Sequence, residues 1–368
     1  MKHVILRKLM LAMALLTSLP SFAYDLFIDG IYYYVNVSDF TCEVTNNGSN
    51  SYSGDIIIPK TISYKSKNLT ITSINSYAFR DCSNLTSIII GDSIKTIEDH
   101  AFYNCSSLTS ITIPSSVIRI DDYAFSGCSS LKELTIEDGT NTLSLGDASY
   151  SYTYDGWTSN YDRGLFYTTP IETVYIGRNL NCDCYPFYDN LEREGNVNIK
   201  EATIGNFVTQ INYNTFYGCK GLTTLNLGSS VTNIGSNAFS NCPSITTINS
   251  YNPIPPKGAD FVKQVYMDAA VKVPIGSLAL YQAANGWKTF WDLSESNFSG
   301  IKSTMSDSDI NISVKNRNII IRGIDNANIK IFSANGQCIY SGTSTTIPIT
   351  TSGLYVVKVK DKIFKVLL

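Results

Sequence analysis

Ile74-Asn-Ser-Tyr-Ala78-Phe79-Arg-Asp-Cys82-Ser-Asn-Leu85-Thr-Ser-Ile88-Ile-Ile90 is followed by two further versions of itself, Ile97 to Ile113 and Ile120 to Ile136. Phe79, Phe102 and Phe125 stand 23 residues apart, as do Cys82, Cys105 and Cys128, and Leu85, Leu108 and Leu131. The same spacing returns at Phe216, Cys219 and Leu222, and 23 residues later at Phe239, Cys242 and Ile245. A fixed period in this range marks a solenoid. Each unit ends in Leu-x-x-Ile-x-Ile, whose alternation predicts a short half-buried strand. Ala-Phe-x-x-Cys turns the chain and sets a ring between layers. One unit alone cannot bury enough apolar surface to offset the ordering of its backbone, so the units must stack.

The Ala-Phe-x-x-Cys-x-x-Leu core at this period resembles the BspA-like, Treponema-type leucine-rich repeats of bacterial surface proteins, over roughly residues 56 to 294. The resemblance implies a leucine-rich-repeat solenoid displayed outside the cell and used for binding, often to host matrix proteins or other cells. The fold class expected is mainly β: a period-23 solenoid with N- and C-terminal caps, then a small β-sandwich module.

Taken in order, residues 1–23 read as a secretory signal. Lys2, Arg7 and Lys8 precede the apolar run Leu9 to Leu16, and Ser21-Phe22-Ala23 is a small-x-small cleavage site. The run is too short to span a bilayer. Cleavage after Ala23 exposes Tyr24, where an N-terminal lipid anchor would need Cys. It leaves 25 basic against 31 acidic residues, a net charge of −6. With no basic block or basic-aromatic array, nothing points to nucleic acid.

Residues 24–72 are expected to cap the stack, with strands at Leu26–Ile28, Ile31–Val37, Ile56–Ile58 and Leu69–Ile71. Repeats occupy 73–248. Cys128 and Cys219 are 91 residues apart, close to four periods. The middle therefore reads as degenerate repeats plus a polar, aromatic insertion at 138–163. Leu165-Phe166 and Ile171 to Ile176 resume the period, with Phe187 and Phe207 as further ring positions. Residues 249–297 form the C-terminal cap, with one helix begun by Ser277 and stopped by Gly286 before Trp287. A Ser/Asp-rich linker covers 298–309.

Residues 310–368 show seven short strand patterns and an Asn335-Gly336 turn signal. Ile329-Lys-Ile-Phe…Asn335-Gly336-Gln337…Gly353-Leu-Tyr355-Val-Val-Lys358-Val resembles the C-terminal sorting domain of type IX secretion, which implies export machinery as a partner. A β-sandwich adaptor without a sorting role is the other reading.

Candidates for chemistry are few. His3 departs with the signal, which leaves His100 for any Ser-His-Asp or Cys-His site. It occupies the variable turn position held by Tyr77, Tyr123 and Asn237 in other repeats. Cys182-Asp-Cys184 is a weak metal signal. Asp121-Asp122 reads as solvated turn acids. The five in-register cysteines read as a reduced, buried ladder; Cys42, Cys182, Cys184 and Cys338 stay open. Catalytic, metal and cofactor sites are therefore not expected.

Binding residues are sought in two places. One is the outward strand positions, among them Thr112, Thr135, Tyr175, Thr203 and Asn226. The other is the insertion, with Tyr150, Tyr152, Tyr154, Trp157 and Tyr161. The partner is an extracellular protein or, alternatively, a glycan stacked on the insertion's rings.

Overall fold

The computed structural model describes residues 24–48, 52–146, 149–154, 157–162, 165–166, 168–182, 185–189, 194–298 and most of 311–367. Residues 1–23, expected to be a signal, most of the expected 298–309 linker, Cys184 and Asn335-Gly336 lie outside them. Among the described residues no helix is long and apolar enough to cross a membrane.

The strand ends of the repeats form one parallel sheet of eight strands. In chain order they are Ser110–Ile113, Glu133–Ile136, Thr173–Ile176, Glu201–Ile204, Thr224–Leu227, Thr247–Ser250, Ala270–Pro274 and Asp292–Ser296. Alternation sets the two faces. Ile111, Leu134, Val174, Ala202, Leu225 and Ile248 share a register row and are buried, as do Ile113, Ile136, Ile176, Ile204 and Leu227. The Ser-Val-x-x-Ile segments build a second parallel sheet on the opposite side, through Thr96–Ile97, Arg119–Ile120, Leu143–Leu145 and Leu180–Asn181. That sheet continues into the N-terminal cap, whose strands include Thr41–Thr45 beside the expected ones. Thr61–Tyr64 also pairs there, with Lys67–Ile74.

Between the sheets runs a column of rings: Phe79, Phe102, Phe125, Phe166, Phe187, Phe216, Phe239 and Phe261. Successive centroids are 5.0, 5.1, 5.6, 5.5, 5.3, 5.5 and 5.6 Å apart, with planes within 17° of parallel. Each repeat is displaced from the last by one strand spacing, about 4.8 Å. Equivalent rings therefore repeat by nearly that translation and fall into offset stacks, a favoured aromatic geometry. Tyr52 closes the column at one end, 4.5 Å from Phe79. Trp287 and Phe290 meet Phe261 edge-on at the other.

The repeat count in the middle, open from the sequence, follows from register. Ile136, Ile176, Ile204 and Leu227 occupy successive strands at the same register position, so the 91 residues make three steps with an insertion in the first. Leu143–Leu145 belongs to the second sheet, so the inserted part is narrower than 138–163. It is the antiparallel hairpin Ser149–Tyr154 and Trp157–Asp162. Phe187 is in the column, but Phe207 is 47% exposed. Phe207 directly follows the Gly205-Asn206 turn and precedes Val208 and Ile211, which makes it the Ser position of Ser-Val-x-x-Ile and not a ring position.

The C-terminal cap has two short helices, α1 (Lys263–Asp268) and α2 (Leu278–Ala283), where the sequence suggested one. Ser277 precedes α2, but its hydroxyl bonds back to Pro274 O. The first helix amide, Leu278 N, is met instead by Glu295 Oε1 at 3.1 Å, which also accepts from Gly276 N ahead of the helix at 2.8 Å. Gly286 lies beyond the α2 cap residue Ala284, at φ 83°, and leads into the 3₁₀ turn Trp287–Thr289. Buried Trp287 donates to Pro256 O at 2.7 Å, and Tyr281 donates to Asn252 O at 2.7 Å, so both polar tips are satisfied.

Cys82, Cys105, Cys128, Cys219 and Cys242 are buried free thiols. They are donors as well as small apolar groups: Cys105 Sγ reaches Phe79 O at 3.0 Å, Cys128 reaches Phe102 O at 3.1 Å, and Cys242 reaches Phe216 O at 3.0 Å. Each of these three thiols ties its turn to the ring residue of the repeat before. Burial raises the Cys42 and Cys242 thiols to about 12. Thiolate is the reactive form. Iodoacetamide at pH 8 should therefore modify exposed Cys338 in the native protein and the ladder thiols only after denaturation, read by peptide mass spectrometry. Cys182 is disulfide-bonded.

The C-terminal module is a sandwich of antiparallel sheets, three strands facing four. Ile319, Ile321 and Ile347 of one sheet pack on Ile329, Ile331, Val357 and Val359 of the other. The four-stranded sheet turns its other face to the repeats. Phe332 and Val356 close over Ile57, with Ile89 beside them, and Lys330 pairs with Asp55. Burial alone would raise the Asp55 pKa. The hydrogen bonds from Lys330 and Ser87 and the charges of Lys330 and Lys358 outweigh it and bring it from 3.8 to about 2. A depressed carboxylate stabilises fully above its ordinary range, and that contribution is lost as pH falls through the folded value. Acidification from pH 5 to pH 2 is therefore expected to loosen the module, seen by small-angle scattering as a rise in maximum dimension.

Candidate functional site

The outer face of the main sheet offers the broadest regular surface. Thr112, Thr135, Tyr175, Thr203 and Asn226 occupy a single register row, continued by Asn249, Lys272 and Ser294. Neighbours in the row stand one strand spacing apart, about 4.8 Å. A parallel row one residue earlier than the strand starts carries charge. Glu172 Oε1 lies 2.9 Å from Lys132 Nζ, and its Oε2 lies 3.4 Å from Lys200 Nζ. These two lysines pull the Glu172 pKa down.

Outward in register does not mean free. Thr112, Thr135, Tyr175 and Thr203 are half-buried and Asn226 is buried, because close strand spacing shields each side chain with its neighbours. Asn226 Nδ2 donates to Glu201 Oε1 at 2.9 Å and Thr203 Oγ1 at 3.0 Å, while its Oδ1 accepts from Asn249 Nδ2 at 2.8 Å. The Tyr175 hydroxyl turns to Asp138 Oδ1, 2.7 Å away. Gly205 makes room for that bond, since a Cβ there would lie 2.7 Å from the phenol oxygen and 2.9 Å from the carboxylate. From Tyr175 to Asn249 the row is thus a hydrogen-bonded set of amides and hydroxyls rather than loose side chains.

The insertion supplies a different surface. Register sets Tyr150 opposite Tyr161, Tyr152 opposite Ser159 and Tyr154 opposite Trp157. Residues two apart share a face of a strand. Positions 150, 152, 154, 157, 159 and 161 therefore fall on one face of the ribbon. Ser149, Ser151, Thr153, Thr158, Asn160 and Asp162 fall on the other. The register positions of the five aromatic residues singled out from the sequence fall on one face of the ribbon.

His100 sits in its turn at φ 54°, its ring stacked between Tyr77 at 5.1 Å and Tyr123 at 4.9 Å. Its Nδ1 lies 2.7 Å from Asp99 Oδ2. The spacing of Tyr77, His100 and Tyr123 makes this an external stack that parallels the inner column. Asp121 lies 3.0 Å from the Arg119 guanidinium. A recess of about 260 Å³ that the sequence did not signal lies where the last main-sheet strands end, between Asn206, Ser229, Tyr251, Pro274 and Phe298.

Residues 57–155 and 194–255 match the family description BspA type leucine rich repeat region, in six copies. These are BspA-type leucine-rich repeats. The match takes in the regular units on both sides of the degenerate stretch, as the ring column does. Solved structures with similar repeats include the leucine-rich repeat protein of T. pallidum, at 17% identity over 60% of this chain and 90% of that one, with a TM-score of 0.42. A leucine-rich cell surface protein of Faecalibacterium prausnitzii gives 19% identity over 74% and 95%, with a TM-score of 0.30. A leucine-rich repeat protein of Bacteroides ovatus gives 20% over 74% and 100%, with a TM-score of 0.22. No curated protein matches the chain. The BspA-type assignment rests on the repeat match and the period.

Proposed function

We propose that this is an exported, non-enzymatic binding protein that engages an extracellular protein through the outer face of its main sheet. The observation that carries this reading is the single register row from Thr112 to Ser294, a broad row of amides and hydroxyls with few charges. Its central side chains, Tyr175, Thr203, Asn226 and Asn249, are already held by hydrogen bonds, so a partner would pay little ordering entropy there. The apolar N-terminal segment ending at Ala23 supports export, and the BspA-type repeats support a role in adhesion at the cell surface. The chain's C-terminal module, through its resemblance to sorting domains, would contact export machinery.

The test is an array of matrix proteins and glycans probed with mature chain, residues 24–368. Protein binding that falls tenfold or more with Thr135→Arg and Thr203→Arg supports the reading. Retention of full binding by both variants, or no protein partner at all, removes it. A second reading has its own observation: five aromatic positions lie on one face of the inserted ribbon. Aromatic faces stack on sugar rings, so this ribbon suits a glycan. Glycan binding lost with Trp157→Ala and Tyr154→Ala, but kept by the arginine variants, would favour it.

A further inference from the structure

The outer row of the repeats changes character at its N-terminal end. Asp55 pairs with Ser87 and Ile57 with Ile89 in the strand pair Gly54–Ile57 and Leu85–Ile89. By the 23-residue period, Ser87 and Ile89 are the counterparts of Ser110 and Thr112. The row therefore runs Ile57, Ile89, Thr112, Thr135, Tyr175, Thr203, Asn226, Asn249, Lys272, Ser294. Its aliphatic members are the first two. An aliphatic side chain on an outward strand position asks for a cover, and here it has one.

The cover is built to match. Lys330 and Phe332 share a face of their strand, and register sets Lys330 against Lys358 and Phe332 against Val356. That face thus presents two lysines and two apolar groups. Phe332 and Val356 meet Ile57 and Ile89, and Lys330 meets Asp55, whose second oxygen is held by Thr86 and Ser87. Ile57 is left 8% exposed, Phe332 5% and Val356 8%. The module's own core lies on its opposite face, so Phe332 and Val356 are not needed to hold the sandwich together. Apolar meets apolar and cation meets anion across the contact, in register on both sides.

We infer that the N-terminal end of the outer face is a docking surface whose occupant is the chain's own C-terminal module, which covers the first two strands until it is released. This rests on the outer face being the binding surface. In the docked form a partner reaches the row from Thr112 onward. Engagement of Ile57 and Ile89 requires the module to leave, and the same departure frees the Lys330–Phe332–Val356–Lys358 face for another partner.

The test needs no external ligand, so it is independent of the proposed binding role. In mature chain carrying Cys338→Ser, Ile89→Cys is introduced to report the covered end and Thr135→Cys to report the open row. Maleimide labelling of Ile89→Cys is expected to be at least tenfold slower than that of Thr135→Cys. Adding Asp55→Lys should bring the two rates within about twofold and increase the maximum dimension in solution scattering. The charge swap Asp55→Lys with Lys330→Glu should slow Ile89→Cys labelling again. Equal rates in the parent chain, or rates indifferent to both charge variants, would overturn the inference. Circular dichroism on each variant identifies a misfolded one, and the swap then decides.

Discussion

Replacing Phe125 by alanine is expected to destabilise the solenoid by about 3–5 kcal/mol, the range for losing a fully buried aromatic side chain. Phe125 is 0% exposed and stacks on Phe102 at 5.1 Å and on Phe166 at 5.6 Å. Each such contact is worth about 0.5–1.5 kcal/mol beyond buried area, so truncation costs packing on two sides at once. Its neighbours cannot collapse into the gap, because strand spacing fixes where each ring stands. Stability in a stacked array is close to a sum of unit and neighbour terms. A break at Phe125 therefore weakens the coupling between the N-terminal repeats and the rest. Chemical denaturation should show a lower midpoint and a broader or divided transition. Phe125→Leu should recover about half the loss. Phe207→Ala, at an exposed position, should stay within about 0.5 kcal/mol of the parent. An equal loss at Phe207 would mean that the column is not the structural spine.

The contrast between those two residues shows what the sequence carried. Wherever a side chain repeats with a fixed neighbour set, its place was legible: Phe at the column, Cys three residues on, Leu six residues on. Phe187 and Phe207 have no Cys at that spacing, so ring type alone could not separate them. Val208 and Ile211 would have done so, since they match Val231 and Ile234 in the next repeat. Phe261 was hidden because α1 replaces the Cys and Leu that normally follow. The second sheet escaped notice because most of its repeat strands are two residues long, too short for alternation to register. The outward residues were placed on the correct row, but their mutual hydrogen bonds depend on which strands become neighbours. Tyr175 bonding Asp138 across a 37-residue separation is of this kind. The docking of the C-terminal module was foreshadowed by Ile57 and Ile89, which break alternation, yet nothing local says what covers them.

Arg178 is the residue that the apolar pattern conceals most fully, and its loss should rank with that of a column ring. It follows the strand Thr173–Ile176 and Gly177, and it is 0% exposed. Its Nη1 donates to Ser115 O at 2.7 Å and its Nη2 to Pro114 O at 2.8 Å, while Nε has no hydrogen-bond partner. It thereby reaches past the intervening turn to a turn two layers away. Burial lowers the Arg178 pKa to about 10, partly opposed by Glu137. The charge is therefore held at a cost at neutral pH, and that cost falls only as pH rises beyond the folded value. Two effects oppose each other on removal. Relief of desolvation favours an apolar replacement, while losing two hydrogen bonds from a charged donor costs about 1.5–3 kcal/mol each, even though Pro114 O keeps its bond from Val117 N. Arg178→Ala also opens a cavity, so the losses win and the net cost should be about 2–4 kcal/mol. Arg178→Met fills the space and should cost less than half as much. Arg178→Lys keeps the charge but gives up the fork that spans two carbonyls, so it should resemble alanine more than methionine. Urea denaturation of the three variants gives the order directly. Methionine as damaging as alanine would assign the whole effect to the two hydrogen bonds and none to packing.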